Sequence, residues 1–505
     1  MVTVVAETST GKVRGVEIGD GVVSWRGIPY AAPPVGPLRL LPPRPAEQWN
    51  DVLDATAFRA PAPQVAVGVS AAFGAVALGP KLPPSDEDCL FLNVTAPAEA
   101  FAATGGRGRP VLVWLHGGGY VSGSGTDMAG DGDVFARSHG LVVVTLNYRL
   151  GALGFLAVPG EAPTGAFGLH DQIAALRWVR ENIAAFGGDP GQVTVYGLSA
   201  GAKSVANLMA APLARGLFVR AASSSGGEYV ATQAQAAAVA KRFFRELGSG
   251  PERIRDVPVA DILAAQSRIG EGARPTWVWR PMIDGVALTA RPVDAIAAGA
   301  AAGVALLAQH CVDECALFEL GAPDAAEQAD AVLESYFGAA GRDEILGGYA
   351  RARPDLAADP VRLRVEVMTD ERYAIPTTRL ADAQAAHGPV WRSRYDGPMT
   401  GLPEAMVPGG TAPAFHGSDG LSIWRGRSGL GKVMHDAWGA FAVTGVPAAE
   451  RLPDWRGYTA AERATMLFRE DGPHVTADPD AAQRSVWEGR DWQPGTWWDF
   501  EGIGR

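Results

Sequence analysis

The sequence predicts an α/β protein built on a mostly parallel, doubly wound sheet, and three observations carry that prediction. Short apolar, β-branched runs bounded by glycine and proline have the length and composition of strands buried on both faces: "PVLVWLH" at 110–116, "LVVVTLNY" at 141–148 and "VTVYG" at 193–197. Between the last two lies "DQIAALRWVRENIAAF", in which Ile173, Leu176, Val179, Ile183 and Phe186 recur at three- and four-residue steps and so share one helical face, before "GGDP" stops it. Strand, helix, strand in that order implies a right-handed crossover.

Later elements extend the same sheet. From about residue 230 to 380 the chain turns to Ala-rich helical stretches such as "QAQAAAVAKRFFREL", interrupted by "VALLAQH" at 304–310, a further short strand. Another strand, "PVWRSRYD" at 389–396, precedes a Gly- and Pro-rich loop, and the helix "GKVMHDAWGAFAVTG" follows. There is no internal repeat and no flexible linker. The expected organisation is a single domain over residues 1–505, with about 230–380 forming a helix-rich cap around the 304–310 strand.

A chain of 505 residues, 47% hydrophobic and 20% charged, has ample material for a large core. Its formal charge of -11 leaves no basic field for a polyanion, so nucleic acid is not an expected partner. The opening "MVTVVAETSTGKVRG" lacks a basic region followed by an apolar one, and Glu7 interrupts it, so no signal peptide is expected. The longest nearly apolar run, Ala295 to Ala308, is shorter than the roughly 18 residues that suggest a membrane span. Three cysteines, an odd number, argue against a disulfide framework and fit a reducing, cytoplasmic compartment.

The segment that carries chemistry is Val193 to Met209, "VTVYGLSAGAKSVANLM": a strand, then Gly197-Leu198-Ser199-Ala200-Gly201, then an Ala-rich helix. G-x-S-x-G in this setting lets the backbone turn sharply from strand to helix and lifts the Ser199 hydroxyl above the sheet edge at a helix N-terminus. A serine hydroxyl is a poor nucleophile at neutral pH and needs a base within hydrogen-bond reach and donors for a developing oxyanion. "HGGGY" (His116 to Tyr120) follows its own strand, and the amides of Gly118 and Gly119, with that of Ala200, are the candidate donors. A phosphate loop would need the G-K-[ST] ending that is missing here.

Enzymes with this elbow place the acid and then the histidine after the serine, the histidine on a loop beyond a late strand. Of His387, His416, His435 and His474, the first immediately precedes a strand and the third sits mid-helix beside Met434 and Trp438. His416, in "APAFHGSDG" within the loop after "PVWRSRYD", is the best base. The acid is expected after "VALLAQH", where "CVDEC" stands at the C-terminal end of its strand. Chemistry alone does not separate Asp313 from Glu314. The same stretch, "QHCVDEC" at 309–315, carries an imidazole, two thiols and two carboxylates and could be read as a metal site. Zinc needs three or four ligands at fixed spacing, and neither H-E-x-x-H nor a second Cys/His pair is present, so no metal and no organic cofactor is expected.

Together these residues resemble the type-B carboxylesterase family, the cholinesterase-like branch of the α/β hydrolases, and within it the bacterial para-nitrobenzyl-esterase type. The resemblance covers nearly the whole chain. "RGIPYAAPPVGPLRL" is similar to the family's G-I-P-Y-A-x-P-P-x-G-x-x-R-F and "SDEDCLFLNV" to S-E-D-C-L-x-L-N-V, while "HGGGY", "NYRLGALGFL", "FGGDP" and "GLSAG" follow in family order. Matching "AQHCVDECALF" to the family's G-T-x-x-D-E-G-x-x-F puts the acid at Glu314. The resemblance therefore implies the α/β-hydrolase fold and a serine carboxylesterase with Ser199 as nucleophile, His416 as general base and acid, and Glu314 orienting the imidazole. It further implies structural ion pairs Arg39–Glu87 and Arg149–Asp171, and Ser225 in "SSSGG" as a serine supporting the site from behind.

Three departures from the family pattern stand out, the third involving two cysteines. Leu198 stands where a Glu is usual, so any polar network resting on that carboxylate is absent. Ala62-Pro63-Gln64 replaces the Cys before Pro-Gln that secreted members pair with the Cys of E-D-C-L, leaving Cys89 without that partner. Cys315 replaces the usual glycine after the acid, and Cys311 is also unusual.

The implied reaction is two-step acyl transfer from a small, hydrophobic carboxylic ester. Between Gln64 and Glu87, Phe73 is the only aromatic residue, so this segment lacks the indole platform that a quaternary ammonium group prefers; its apolar, Gly-rich character suggests a hydrophobic rim. Two other readings stay open: the same scaffold specialised for a lactone, carbamate or amide, and a non-catalytic cholinesterase-like binding module, against which stands the presence of all three triad positions. The sequence fixes no oligomeric state.

Overall fold

The computed structural model describes residues 3–65, 82–102, 108–127, 130, 132–270, 278–319, 325–400 and 410–495. Phe73 and most of the expected rim lie outside the described residues, as does the middle of the Gly- and Pro-rich loop.

One sheet runs through most of the chain. It begins with an antiparallel meander of β1 (Thr3–Thr8), β2 (Gly11–Gly19) and β3 (Val22–Pro29), with β4 (Leu53–Asp54) paired to β2. It continues through β5 (Phe91–Pro97), β6 (Arg109–Leu115), β7 (Val142–Leu146), β8 (Gly188–Leu198), β9 (Arg220–Ser224), β10 (Ala305–Cys311) and β11 (Val390–Tyr395). A separate ribbon pairs β12 (Met399–Thr400) with β13 (Thr411–Ala412), and β14 (Ala464–Phe468) and β15 (His474–Ala477) close the far edge of the main sheet. The spatial order is β1-β2-β3-β5-β7-β6-β8-β9-β10-β11-β14-β15, and the seven strands from β7 to β14 are mutually parallel. Each strand expected from the sequence is therefore present; the meander, β4, β5, β9, β14, β15 and the β12–β13 ribbon come in addition.

Two apolar layers form because successive strand residues point to opposite faces. Val111, Val113, Val144, Val193 and Val195 face one way, into the core that holds Ile173, Leu176 and Val179 of α1 (Phe167–Asn182). Leu112, Trp114, Val143 and Tyr196 face the other, toward Trp438 and Phe441 of a later helix. The chain starts α1 earlier than the apolar spacing indicated and ends it in a tight turn at Ile183–Phe186, closed by the left-handed Gly187.

After β8 comes α2 (Ala200–Ala210). The helix-rich region then brings α3 (Gln233–Leu247), α4 (Val259–Ile269), α5 (Ala325–Ala352), α6 (Pro360–Thr369) and α7 (Ile375–Ala385). α3 coincides with the stretch read from the sequence; Thr232 and Gln235 form a reciprocal capping box and Gly248 terminates it. α5 is broken at Gly338, and α6 passes into α7 through a π turn at Asp370–Ala374. A smaller core of Leu333, Ile345, Tyr349, Val367, Ile375 and Trp487 holds these helices to α10, counted after α8 (Ser418–Arg425) and α9 (Gly429–Thr444) and spanning Ala481–Trp487.

Both expected ion pairs are present and bidentate. Arg149 Nε and Nη2 meet Asp171 at 2.8 and 2.7 Å, wholly buried, and Arg39 meets Glu87 at 2.7 and 2.6 Å. Removing one partner of such a buried pair costs about 3–5 kcal/mol. Among the described residues no helix is long and apolar enough to cross a membrane.

Candidate active site

The turn from β8 to α2 holds Ser199 at φ 57°, ψ -120°, a left-handed backbone that a non-glycine residue adopts only when its surroundings enforce it. The enforcement is visible on both sides. A Cβ on Gly197 would lie 2.2 Å from the Gly201 carbonyl carbon, and one on Gly201 would lie 2.0 Å from the Leu115 oxygen, so the elbow closes only without side chains there. The Ser199 amide donates to Ser224 O at 2.9 Å, and the Ser199 carbonyl accepts the first α2 bond from Lys203 at 2.8 Å. Ser199 is left half-buried at the head of the helix.

The loop after β6 lies against this elbow. A Cβ on Gly117 would come within 3.2 Å of Ser199 Cβ. Gly118 and Gly119 both have positive φ, 104° and 61°, and a Cβ on Gly118 would strike Ser122 O at 2.1 Å. His116 braces the loop: its Nδ1–H donates to Gly117 O at 2.8 Å, and its ring stacks on Tyr148, whose hydroxyl donates to His116 O at 2.8 Å. Among the described residues the amides of Gly118, Gly119 and Ala200 donate to no other protein group.

Glu314 follows β10 and is fully buried. One carboxylate oxygen accepts from His416 Nδ1–H at 2.6 Å; the other accepts from Ser225 Oγ at 2.6 Å and from the Cys311 amide at 2.7 Å. Backbone bonds from His416 N to Glu314 O (3.1 Å) and from Asp313 N to Ala414 O (3.0 Å) lace the two loops together. Asp313 points elsewhere, to Arg362 at 3.0 Å. Among the described residues no hydrogen bond joins the Ser199 hydroxyl to His416, whose ring bonds Glu314.

The side chains of "QHCVDEC" diverge. His310 Nδ1 accepts from Arg392 at 2.8 Å, Gln309 Nε2 donates to Asp419 at 2.5 Å, and the Cys311 thiol lies 3.5 Å from Asp419. Among the described residues no three potential ligands come together.

Asp419 is the residue that sequence reasoning missed. It sits on α8, three residues after His416, with no exposed surface, and burial followed by the nearby Glu314 charge pushes its carboxyl up. The available signal was "HGSD" itself, an acid one turn beyond the histidine. Leu198 is buried among Trp114, Tyr196 and Cys311, so an apolar contact occupies the position next to Ser199.

A parallel sheet with a strand–serine–helix elbow, a glycine loop beside it and a carboxylate-bound histidine at its C-terminal edge defines a serine hydrolase of the α/β-hydrolase class. The chain matches the carboxylesterase family over residues 2–487 and belongs to that family, whose members are carboxylic ester hydrolases. Among characterised relatives, the para-nitrobenzyl esterase of Bacillus subtilis (strain 168) is 37% identical, with 95% of this chain and 97% of that protein covered. The phenmedipham hydrolase of Pseudarthrobacter oxydans is 33% identical over 94% and 97%. Of solved structures, a PNB esterase aligns with a TM-score of 0.80 at 36% identity, covering 95% of this chain and 99% of that one.

Proposed function

We propose that the protein hydrolyses small, hydrophobic carboxylic esters through an acyl-enzyme on Ser199, with His416 as base and Glu314 as the orienting acid. The observation that carries this reading is the 2.6 Å bond from His416 Nδ1–H to a wholly buried Glu314, on loops laced together at the sheet edge where the Ser199 elbow opens. That bond fixes the tautomer: with Nδ1 protonated, Nε2 is the free base.

Ser199 Oγ attacks the ester carbonyl and passes its proton to Nε2. The carbonyl oxygen becomes an oxyanion, taken up by the amides of Gly118, Gly119 and Ala200, which are otherwise unengaged within the described protein. Collapse breaks the bond to the alcohol oxygen as Nε2 returns the proton to it; water then adds to the acyl-enzyme by the same route and releases the acid. The Ser225 hydroxyl and the Cys311 amide donate to Glu314 and hold its carboxylate aimed at His416.

Residues about 230–380 are read as a helical cap on a single catalytic domain. The buried thiols of Cys89, Cys311 and Cys315, none of them in a disulfide, support a reducing compartment.

The test is intact mass after exposure to a fluorophosphonate, with peptide mapping, for the wild type and Ser199→Ala. One adduct at Ser199 that vanishes in the variant is expected. Ser199→Ala and His416→Ala should each lower kcat/KM for an aryl ester at least about 10^4-fold without unfolding. Substantial turnover by either folded variant would overturn the assignment.

A further inference from the structure

We propose that Lys203 and Tyr373 are positioning residues for this reaction: the Lys203 ammonium, buried against the Tyr373 ring, fixes that ring in place, and the ring in turn holds the His416 imidazole. The inference rests on His416 being the base.

Lys203 lies one helical turn beyond Ser199 on α2 and is only 4% exposed, which is rare for lysine. Its Nζ donates to the Arg372 carbonyl at 3.3 Å and lies 4.8 Å from the centroid of Tyr373 and 4.9 Å from that of Tyr229, within the range of cation–π attraction. The Tyr373 ring lies 4.5 Å from the His416 ring at an interplanar angle of 33°. One buried aromatic ring thus touches both a cation and the imidazole that must accept a proton. Tyr373 is presented by the π turn at Asp370–Ala374, a kind of insertion that recurs at functional sites.

The charged and titratable groups facing Lys203 are Glu371 and Arg372 from the π turn and Glu314 and Cys315 from the end of β10, while Arg280 covers Tyr229 at 4.7 Å. His416 faces Glu314 and, from α8, Asp419. Burial lowers Lys203 to about 8, with Glu371 and Glu314 opposing, so the ammonium persists through the pH range in which an imidazole titrates. Burial also raises Glu371, which weakens it as a counter-charge.

The test is kcat and KM for a para-nitrophenyl ester, with folding checked by circular dichroism. Lys203→Met should lower kcat about threefold or more with KM unchanged. Lys203→Arg, which keeps the charge, should restore kcat toward the wild-type value. Tyr373→Leu leaves Lys203 in place and serves even where Lys203→Met fails to fold; its kcat should fall about tenfold with KM unchanged. Wild-type kcat in folded Lys203→Met or in Tyr373→Leu would overturn the proposal while leaving His416 as base. Turnover by His416→Ala would instead remove the base assignment itself.

Discussion

Asp313 and Glu314 differ by one position in the chain and by everything in their surroundings. The sequence could bring the acid to "CVDEC" but chemistry alone could not choose within it, because which carboxylate turns inward is decided by partners far away in the chain. Glu314 meets Ser225, the Cys311 amide and His416, whereas Asp313 meets Arg362 on α6 at the surface side. Glu314→Gln should therefore lower kcat by about 10^2- to 10^4-fold, since the amide disturbs the tautomer that frees Nε2. Asp313→Asn should stay within about twofold of wild type, because it loses only a partly exposed ion pair. Kinetics of this pair at pH 7.5 discriminates the two assignments; equal losses would place the acid wrongly. Ser225→Ala removes one charge-assisted bond to Glu314, and a fall in kcat of roughly tenfold with unchanged KM is expected. Asp419 was passed over for the same physical cause: its place near Glu314 comes from α8 folding under the site, and "HGSD" alone, a single acid with no periodicity behind it, is a weak signal.

Elements were legible where local pattern and packing agree. β6, β7, β8 and β10 are short apolar runs because both of their faces are covered, and α1 repeats its apolar residues because one face meets the sheet. The meander at the N-terminus was not read as strands, since β1 and β2 alternate exposed and buried residues, a weaker signal in so short a stretch. The elbow was legible from its glycine spacing, and the structure supplies the reason for that spacing in the approach of Gly201 to β6. Gly201→Ala would drive a methyl group to 2.0 Å from the Leu115 oxygen, which is backbone within the sheet and cannot give. Overpacking of this kind costs about 1–3 kcal/mol or more and shifts Ser199 relative to Gly118 and Gly119. The expected result is a lower melting temperature together with at least about a hundredfold loss of kcat/KM. A variant with native stability and activity would mean that the elbow is looser than its contacts imply.

At the scale of the whole molecule, the family's motifs span the chain in order, so the class of fold could be read from one end to the other. What those motifs leave out is the joint between the helix-rich region and the sheet. There the π turn between α6 and α7 buries Asp370 and Glu371, with Glu366 one turn earlier on α6. Burial, reinforced by Glu366, holds the Asp370 carboxyl well above the usual range, and burial likewise raises Glu366 and Glu371. Tyr349 donates its hydroxyl to Asp370 and accepts from Trp487 Nε1 at 2.6 Å, so this carboxyl is stitched into the smaller core that holds α5 and α10. For an acid whose pKa is higher in the folded chain, the stabilising contribution is fully present below the unfolded pKa of about 3.9 and is lost as pH rises through the folded value. The joint should accordingly weaken toward alkaline pH while the sheet, held by apolar layers, does not. Asp370→Asn keeps an acceptor for Tyr349 and cannot ionise. Its melting temperature relative to wild type should rise between pH 5 and pH 8, by about 2 °C or more, as read by calorimetry at both pH values. A difference that stays flat across that range would mean that Asp370 is already ionised at pH 5, and that the attachment of the helix-rich region is insensitive to its charge.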